Sequence, residues 1–137
     1  MNGAESRFII YGNPIAKGRP RLGRYGTYTP QKTVDYENLV RLSYLQQCNN
    51  RKLSGYIRAE IELYFQIPKR TGKADRWKMK SGQIRHDKRP DADNCIKAVC
   101  DALNGIAYDD DSQIVSVRCE KYYGEIPQAV IRLEEIS

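Results

Sequence analysis

The longest regular alternation in the chain runs from Tyr56 to Ile67. Ile57, Ala59, Ile61, Leu63, Phe65 and Ile67 are apolar, and Arg58, Glu60, Glu62, Tyr64 and Gln66 stand between them. Strict period two over this length predicts a strand with one face on the core and the other wet or at an interface. Pro68 ends it. Shorter apolar runs predict three more strands. Arg7 to Tyr11 is the first. Ile114 to Lys121 places Val115, Val117 and Cys119 on one face. After a turn over Tyr122 to Pro127, Ala129, Ile131 and Leu133 oppose Val130, Arg132 and Glu134.

Two stretches carry helical spacing. Gln31 to about Cys48 reads as a helix whose Leu39, Val40, Leu42, Tyr44 and Leu45 spread over more than one face. That suits packing on the sheet plus a second contact, such as another subunit, although a well-covered core helix gives the same pattern. A second helix is predicted from about Asp93 to Leu103. Pro90 disfavours helix in the residue before it, and Asn104-Gly105 is a stop signal. Ile96, Val99, Cys100 and Leu103 form its apolar stripe, while Asp93, Asn94, Lys97 and Asp101 fall on a different arc. The element order predicts an α+β fold of one domain over residues 1–137. It would be a mixed sheet of about four strands with two helices mainly on one face.

Two segments lack periodicity. Residues 12–30 are rich in Gly, Pro and Arg and are expected to hold no regular structure for long. Residues 68–89 are polar, with Trp77 and Met79 as the main large apolar groups; Trp77 either stacks on a base or pins the loop. The charge gathers in these segments. Ser6 to Val34 holds six basic residues and no acid, and Pro68 to Arg89 holds nine basic residues against Asp75 and Asp87. The whole chain carries a formal net charge of +6 and a pI near 9.2, which suits a polyanionic partner. Arg19, Arg21 and Arg24 interleave with Tyr25 and Tyr28, guanidinium forks beside rings that can stack on bases. Lys17 precedes them. Lys69, Arg70, Lys73, Arg76, Lys88 and Arg89 are the matching DNA-binding candidates of the second segment.

No apolar run approaches the ~20 residues that span a bilayer, and the N-terminus lacks a signal-peptide layout. The expectation is a cytoplasmic protein without a membrane partner. Cys48, Cys95, Cys100 and Cys119 lack CxxC spacing, and there is one histidine. The cysteines therefore read as reduced small hydrophobes rather than zinc ligands.

The carboxylates concentrate elsewhere. Asp91 and Asp93 stand one residue apart, Lys97 follows four residues on, and Asp109, Asp110 and Asp111 form a run before the third strand. Acids this dense repel one another unless a cation sits between them, and a divalent metal is the usual one. Lys97, one turn from Asp93, is placed either to stabilise developing charge or to pair with Asp93 or Asp101. His86, five residues before Asp91, reads equally as a ligand, a base, a phosphate contact or a loop residue.

The stretch from Arg89 to Ile114, RPDADNCIKAVCDALNGIAYDDDSQI, closely resembles the signature of RusA-type endonucleases, small resolvases of four-way (Holliday) DNA junctions common in prophages. The pattern falls on Pro90-Asp91, Asp93-Asn94, Lys97, Asp101-Ala102-Leu103-Asn104, Asp110-Asp111 and Gln113-Ile114. Arg89 stands where many members have lysine. The earlier GNPIAKGRPR stretch is more loosely similar to the family's N-terminal basic loop. The resemblance implies a homodimer that nicks four-way junctions in pairs using Mg²⁺, with Mn²⁺ able to substitute. It places the catalytic and metal-binding acids on Asp91, Asp93 and Asp111, with Asp110 as a further metal candidate, and the essential lysine on Lys97. Competing readings are a junction-binding protein that does not cut, a less selective Mg²⁺-dependent nuclease, and a hydrolase of nucleotides or other phosphate esters.

Overall fold

A computed structural model describes residues 3–137. The alternating stretch forms the strand that organises the rest. In order, the elements are β1 (Glu5–Tyr11), β2 (Arg21–Gly23), β3 (Gly26–Tyr28), α1 (Gln31–Cys48), β4 (Tyr56–Gln66), α2 (Lys73–Lys80), α3 (Ala92–Ala102), a 3₁₀ turn (Asp111–Gln113), β5 (Ile114–Gly124) and β6 (Gln128–Ile136). The main sheet has the order β1-β6-β4-β5. β4 pairs antiparallel with β6 and parallel with β5, and β1 pairs antiparallel with β6. A parallel pair needs a long crossover; residues 67–113, carrying α2 and α3, supply it. The fold is α+β with a mixed four-stranded sheet, as expected.

The apolar half of β4 is fully buried: Ile57, Ala59, Ile61, Leu63 and Phe65 meet Phe8 and Ile10 of β1 and Ala129, Ile131 and Leu133 of β6 in one core. α1 adds Tyr36, Val40 and Tyr44, and the Phe8 and Tyr44 rings meet edge to face at 5.1 Å. α3 adds Cys95, Ala98, Val99, Cys100 and Ala102. These are mostly small, and the α3 backbone approaches α1 more closely than the sheet. Ile96, expected on the core stripe, is only half-buried because the stripe is centred one residue earlier, on Cys95. The polar half of the sheet is a lattice of ion pairs: Arg132 reaches Glu5 at 2.8 Å, Glu134 at 3.2 Å and Glu60 at 3.5 Å.

Three details depart from the expected elements. Residues 68–89 contain a third helix, α2. Asp75 in its first turn and Lys78 and Lys80 in its last complement the helix dipole. Met79 and Ile84 pack it on the core, while Trp77 is 62% exposed and does not pin the segment. The Arg-rich segment contains a short hairpin, β2–β3. In β5 the register shifts, so that Ile57 pairs with Ile114 but Arg58 pairs with Ser116. The shift expels Val115 to 55% exposure. The residues in register with the buried side of β4 are instead Val117, Cys119, Lys121 and Tyr123. All four thiols are free, and burial pushes Cys95 and Cys100 up to about 12. No helix among the described residues is long and apolar enough to cross a membrane.

Candidate active site

Asp91 occupies the N-cap position of α3, where its carbonyl accepts the Cys95 N–H at 3.1 Å. Its side chain makes no capping hydrogen bond and is exposed. Lys121 holds the segment leading into it: its ammonium donates to the carbonyls of Lys88 at 2.6 Å and Pro90 at 2.8 Å. Starting two residues further on, at Asp93, α3 and the start of β5 enclose an open groove of about 260 Å³. It is lined by Asp93, Ile96, Lys97, Cys100, Asp101, Asp111, Ile114 and Val117.

The aspartate triplet divides by role. Asp109 pairs with Lys52 at 2.6 Å on the surface. Asp110 caps the 3₁₀ turn, accepting the Ser112 N–H at 3.1 Å, while Gln113 closes the box by accepting the Asp110 N–H at 3.1 Å. Asp111 alone enters the groove. Its own N–H donates to Asn104 Oδ1 at 2.8 Å, which fixes its approach from the end of α3. Its carboxyl pKa is raised from its ordinary value, by partial burial first and then by the neighbouring Asp101 carboxyl. Two carboxyl groups facing one groove repel each other unless a cation lies between them, so this pair occupies a place that suits a cation.

Asp101 also lines the groove. It is held from behind by Lys17, 3.5 Å away, whose ammonium also meets the buried Glu37 at 2.8 Å. Burial alone would lower the Lys17 pKa, but its bond to Glu37 and the charges of Glu37 and Asp101 raise it. The Lys17 N–H donates to the Asn94 carbonyl at 2.9 Å. Lys17, expected at the DNA, is thus tied into the protein. The pairing expected between Lys97 and Asp93 or Asp101 is not formed, and Lys97 is exposed on the groove wall.

Among the described residues, no three carboxylate, histidine or cysteine side chains stand close enough together to hold a metal ion. Asp93 and Asp111 line one groove, and Asp91 is not among its lining residues. The donor chemistry still fits Mg²⁺, which takes hard oxygens and often binds one or two carboxylates together with water and substrate phosphate.

The basic candidates fall in three places. Arg19, Arg21 and Arg24 are exposed on or beside the β2–β3 hairpin. Lys69, Arg70 and Lys73 are exposed at the entry to α2, whereas Arg76 is half-buried, donating to the Pro68 carbonyl at 3.3 Å. Lys88 and Arg89 are exposed just before Asp91. His86 stacks on Phe65 with ring centroids 3.7 Å apart and meets Tyr123 edge-on at 5.2 Å. Its Nδ1 is buried without a hydrogen-bond partner, so the ring acts as a packed pin beneath this segment.

A carboxylate groove with one lysine, bordered by basic segments on an α+β scaffold, is the arrangement of a small nuclease. The chain belongs to the RusA endodeoxyribonuclease family, which it matches over residues 11–134. The family is one of Holliday junction resolving endonucleases. The chain is also 33% identical over 137 residues to the uncharacterized protein YqaN of Bacillus subtilis (strain 168), an alignment that covers 96% of each.

Proposed function

We propose that this protein resolves four-way DNA junctions by hydrolysing one phosphodiester in each of two opposed strands, acting as a homodimer with Mg²⁺, for which Mn²⁺ can stand in. The observation that carries this reading is the convergence of Asp93, Asp101 and Asp111 with the unpaired-looking Lys97 on one open groove. Asp93 and Asp111, which line the groove, would hold the metal, with Asp91 at the N-cap of α3 closing on it only once metal and substrate bind, and Asp110 committed to its turn. Bound there, Mg²⁺ supplies Lewis acidity for activating water and neutralising phosphate charge. The chain's own residues do the rest. Lys97 offers a point cation to the developing charge on the phosphate. Lys17 and Asn104 fix the two sides of the groove, and Lys121 fixes the approach of Asp91. The exposed arginines and lysines hold the backbone of the arms.

The dimer follows from the task, since two symmetric cuts call for two centres. Leu39, Leu42 and Leu45 of α1, at 39%, 52% and 40% exposure, support a contact there.

The test is cleavage of a synthetic mobile four-way junction and a matched linear duplex, with Mg²⁺ or EDTA, by wild type and Asp91→Asn. Paired, metal-dependent nicks in the junction, lost in the variant while binding persists, are expected. Equal cutting of duplex would reduce the reading to a less selective nuclease. Binding without cutting under Mg²⁺ or Mn²⁺ would leave a junction-binding protein.

A further inference from the structure

We propose that the β2–β3 hairpin is a base-stacking wedge whose tip, Tyr25, reads the unstacked bases at a DNA branch point and so sets the preference for branched over linear DNA. The inference rests on the junction reading above. Three properties of the hairpin point to it.

Its tip is bare. Tyr25 is 95% exposed and Leu22 85%, and neither strand packs appreciably on the main sheet or the helices. Gly23 pairs with Gly26 across the hairpin, so no side chain shields the two turn residues, Arg24 and Tyr25. Gly26 sits at φ +116°, a conformation that L side chains rarely adopt.

Its base is rigid. A Cβ on Gly18 would lie 2.9 Å from both Pro30 Cγ and Thr33 Oγ1, and the Gly18 N–H donates to that hydroxyl at 2.9 Å. Lys17 ties the same base to the first turn of α3, beside Asp93. Strands of three residues rising ~3.3 Å each carry the tip about 10 Å beyond that anchor. The hairpin is therefore anchored at its base beside the carboxylate groove. Tyr28 stiffens it, its ring lying so close over Gly23 that a Cβ there would meet Cδ1 at 2.9 Å.

Its charge names the partner. Arg19, Arg21 and Arg24 flank the exposed rings in sequence, no acid occurs between Ser6 and Val34, and the Arg24 guanidinium lies 5.8 Å from the Tyr25 ring centroid. Cationic forks with a free aromatic face match a phosphate backbone with an accessible base. Pushing a ring between stacked pairs of intact duplex costs unstacking energy, whereas bases already displaced cost least. The same tip therefore gains on branched DNA what it forfeits on linear DNA.

The experiment is a titration of a four-way junction and a linear duplex of the same sequence, in EDTA so that nothing is cut, with wild type, Tyr25→Ala, Tyr25→Phe and Trp77→Ala. Tyr25→Ala is expected to weaken junction binding about tenfold and duplex binding less than about twofold, the scale of one lost base stack. Tyr25→Phe, which keeps the ring, should bind as wild type. An equal loss on both DNAs, or none, overturns the wedge. So does loss of the preference in Trp77→Ala alone, which would move the element to α2. A wild type with no preference for the junction would overturn the functional reading as well.

Discussion

The ammonium of Lys121 lies under the backbone that delivers Asp91, donating to the Pro90 carbonyl at 2.8 Å and to the Lys88 carbonyl at 2.6 Å. Lys121 is in register with the buried Leu63, on a side of β5 otherwise given to Val117, Cys119 and Tyr123. A lysine there makes sense as a bracket, since the part-buried Pro90 carbonyl would otherwise lack a donor. Lys121→Met keeps the length and removes the donor. It should destabilise the fold by about 1–2 kcal/mol, the cost of a partly buried carbonyl left unpaired. Junction cleavage should fall at least about tenfold, because Asp91 loses its fixed approach while remaining present. Urea denaturation and single-turnover cleavage check the two effects, and unaltered junction affinity in EDTA separates them from a binding defect.

Lys17 separates structure from DNA contact among the basic residues. It holds Glu37 at 2.8 Å and Asp101 at 3.5 Å. Lys17→Met should cost roughly 2 kcal/mol, below the ~3–5 for breaking a fully buried pair because the ammonium keeps some solvent contact. The slope of log affinity against log salt should stay unchanged. Arg21→Gln, on the exposed hairpin, should leave stability alone and reduce that slope by about one. A slope that falls in Lys17→Met would show that this lysine meets phosphate after all.

The three adjacent aspartates should respond differently to substitution. Asp109→Ala removes an exposed pair with Lys52 and is expected to change neither melting temperature nor cleavage. Asp110→Ala removes a cap and should lower the melting temperature with cleavage largely retained. Asp111→Asn should abolish cleavage and keep the fold, since the amide keeps the size and shape of the carboxyl and removes only its charge. Thermal melts and a junction cleavage assay on the three variants test this together; cleavage lost in Asp110→Ala but kept in Asp111→Asn would reassign the groove carboxylate.

How much was legible beforehand follows the range of the signal. The strand over 56–66 was readable because period two is local and unbroken, and α1 began and ended where its spacing put it. α2 was not, because its hold on the core comes from Met79 and Ile84 alone and is a tertiary effect. Val115 was misplaced because a register shift in a parallel pair is invisible in one strand's pattern. In the site, the arc of Asp93, Lys97 and Asp101 on α3 was visible. The partner that holds Asp101 was not, since Lys17 lies far away in sequence. Lys121 did leave a trace, a charged residue interrupting the buried side of β5. The role of each member of the Asp109–Asp111 run depended on Gln113, Asn104 and Lys52, which no spacing rule connects to them.

His86 gives the pH dependence a single reporter, being the chain's one histidine. Its ring is stacked on Phe65 and edge-on to Tyr123, and the charged groups near it are Lys121, Asp87 and Lys88. Burial first, and then the Lys121 charge, lower its pKa below the ordinary 6.5, so the folded state holds the neutral ring. The unfolded chain takes up a proton near 6.5 and the folded chain only at lower pH. The stabilisation is therefore fully present above about 6.5 and is lost as pH falls through the folded pKa. Unfolding free energy measured in urea should fall as pH drops below about 6.5 and be flat from 7 to 8. His86→Phe keeps the aromatic stack without the titration and should remove the fall in that window. A wild type equally stable at pH 5 and pH 7.5, or a variant that keeps the full dependence, would show that another group governs it.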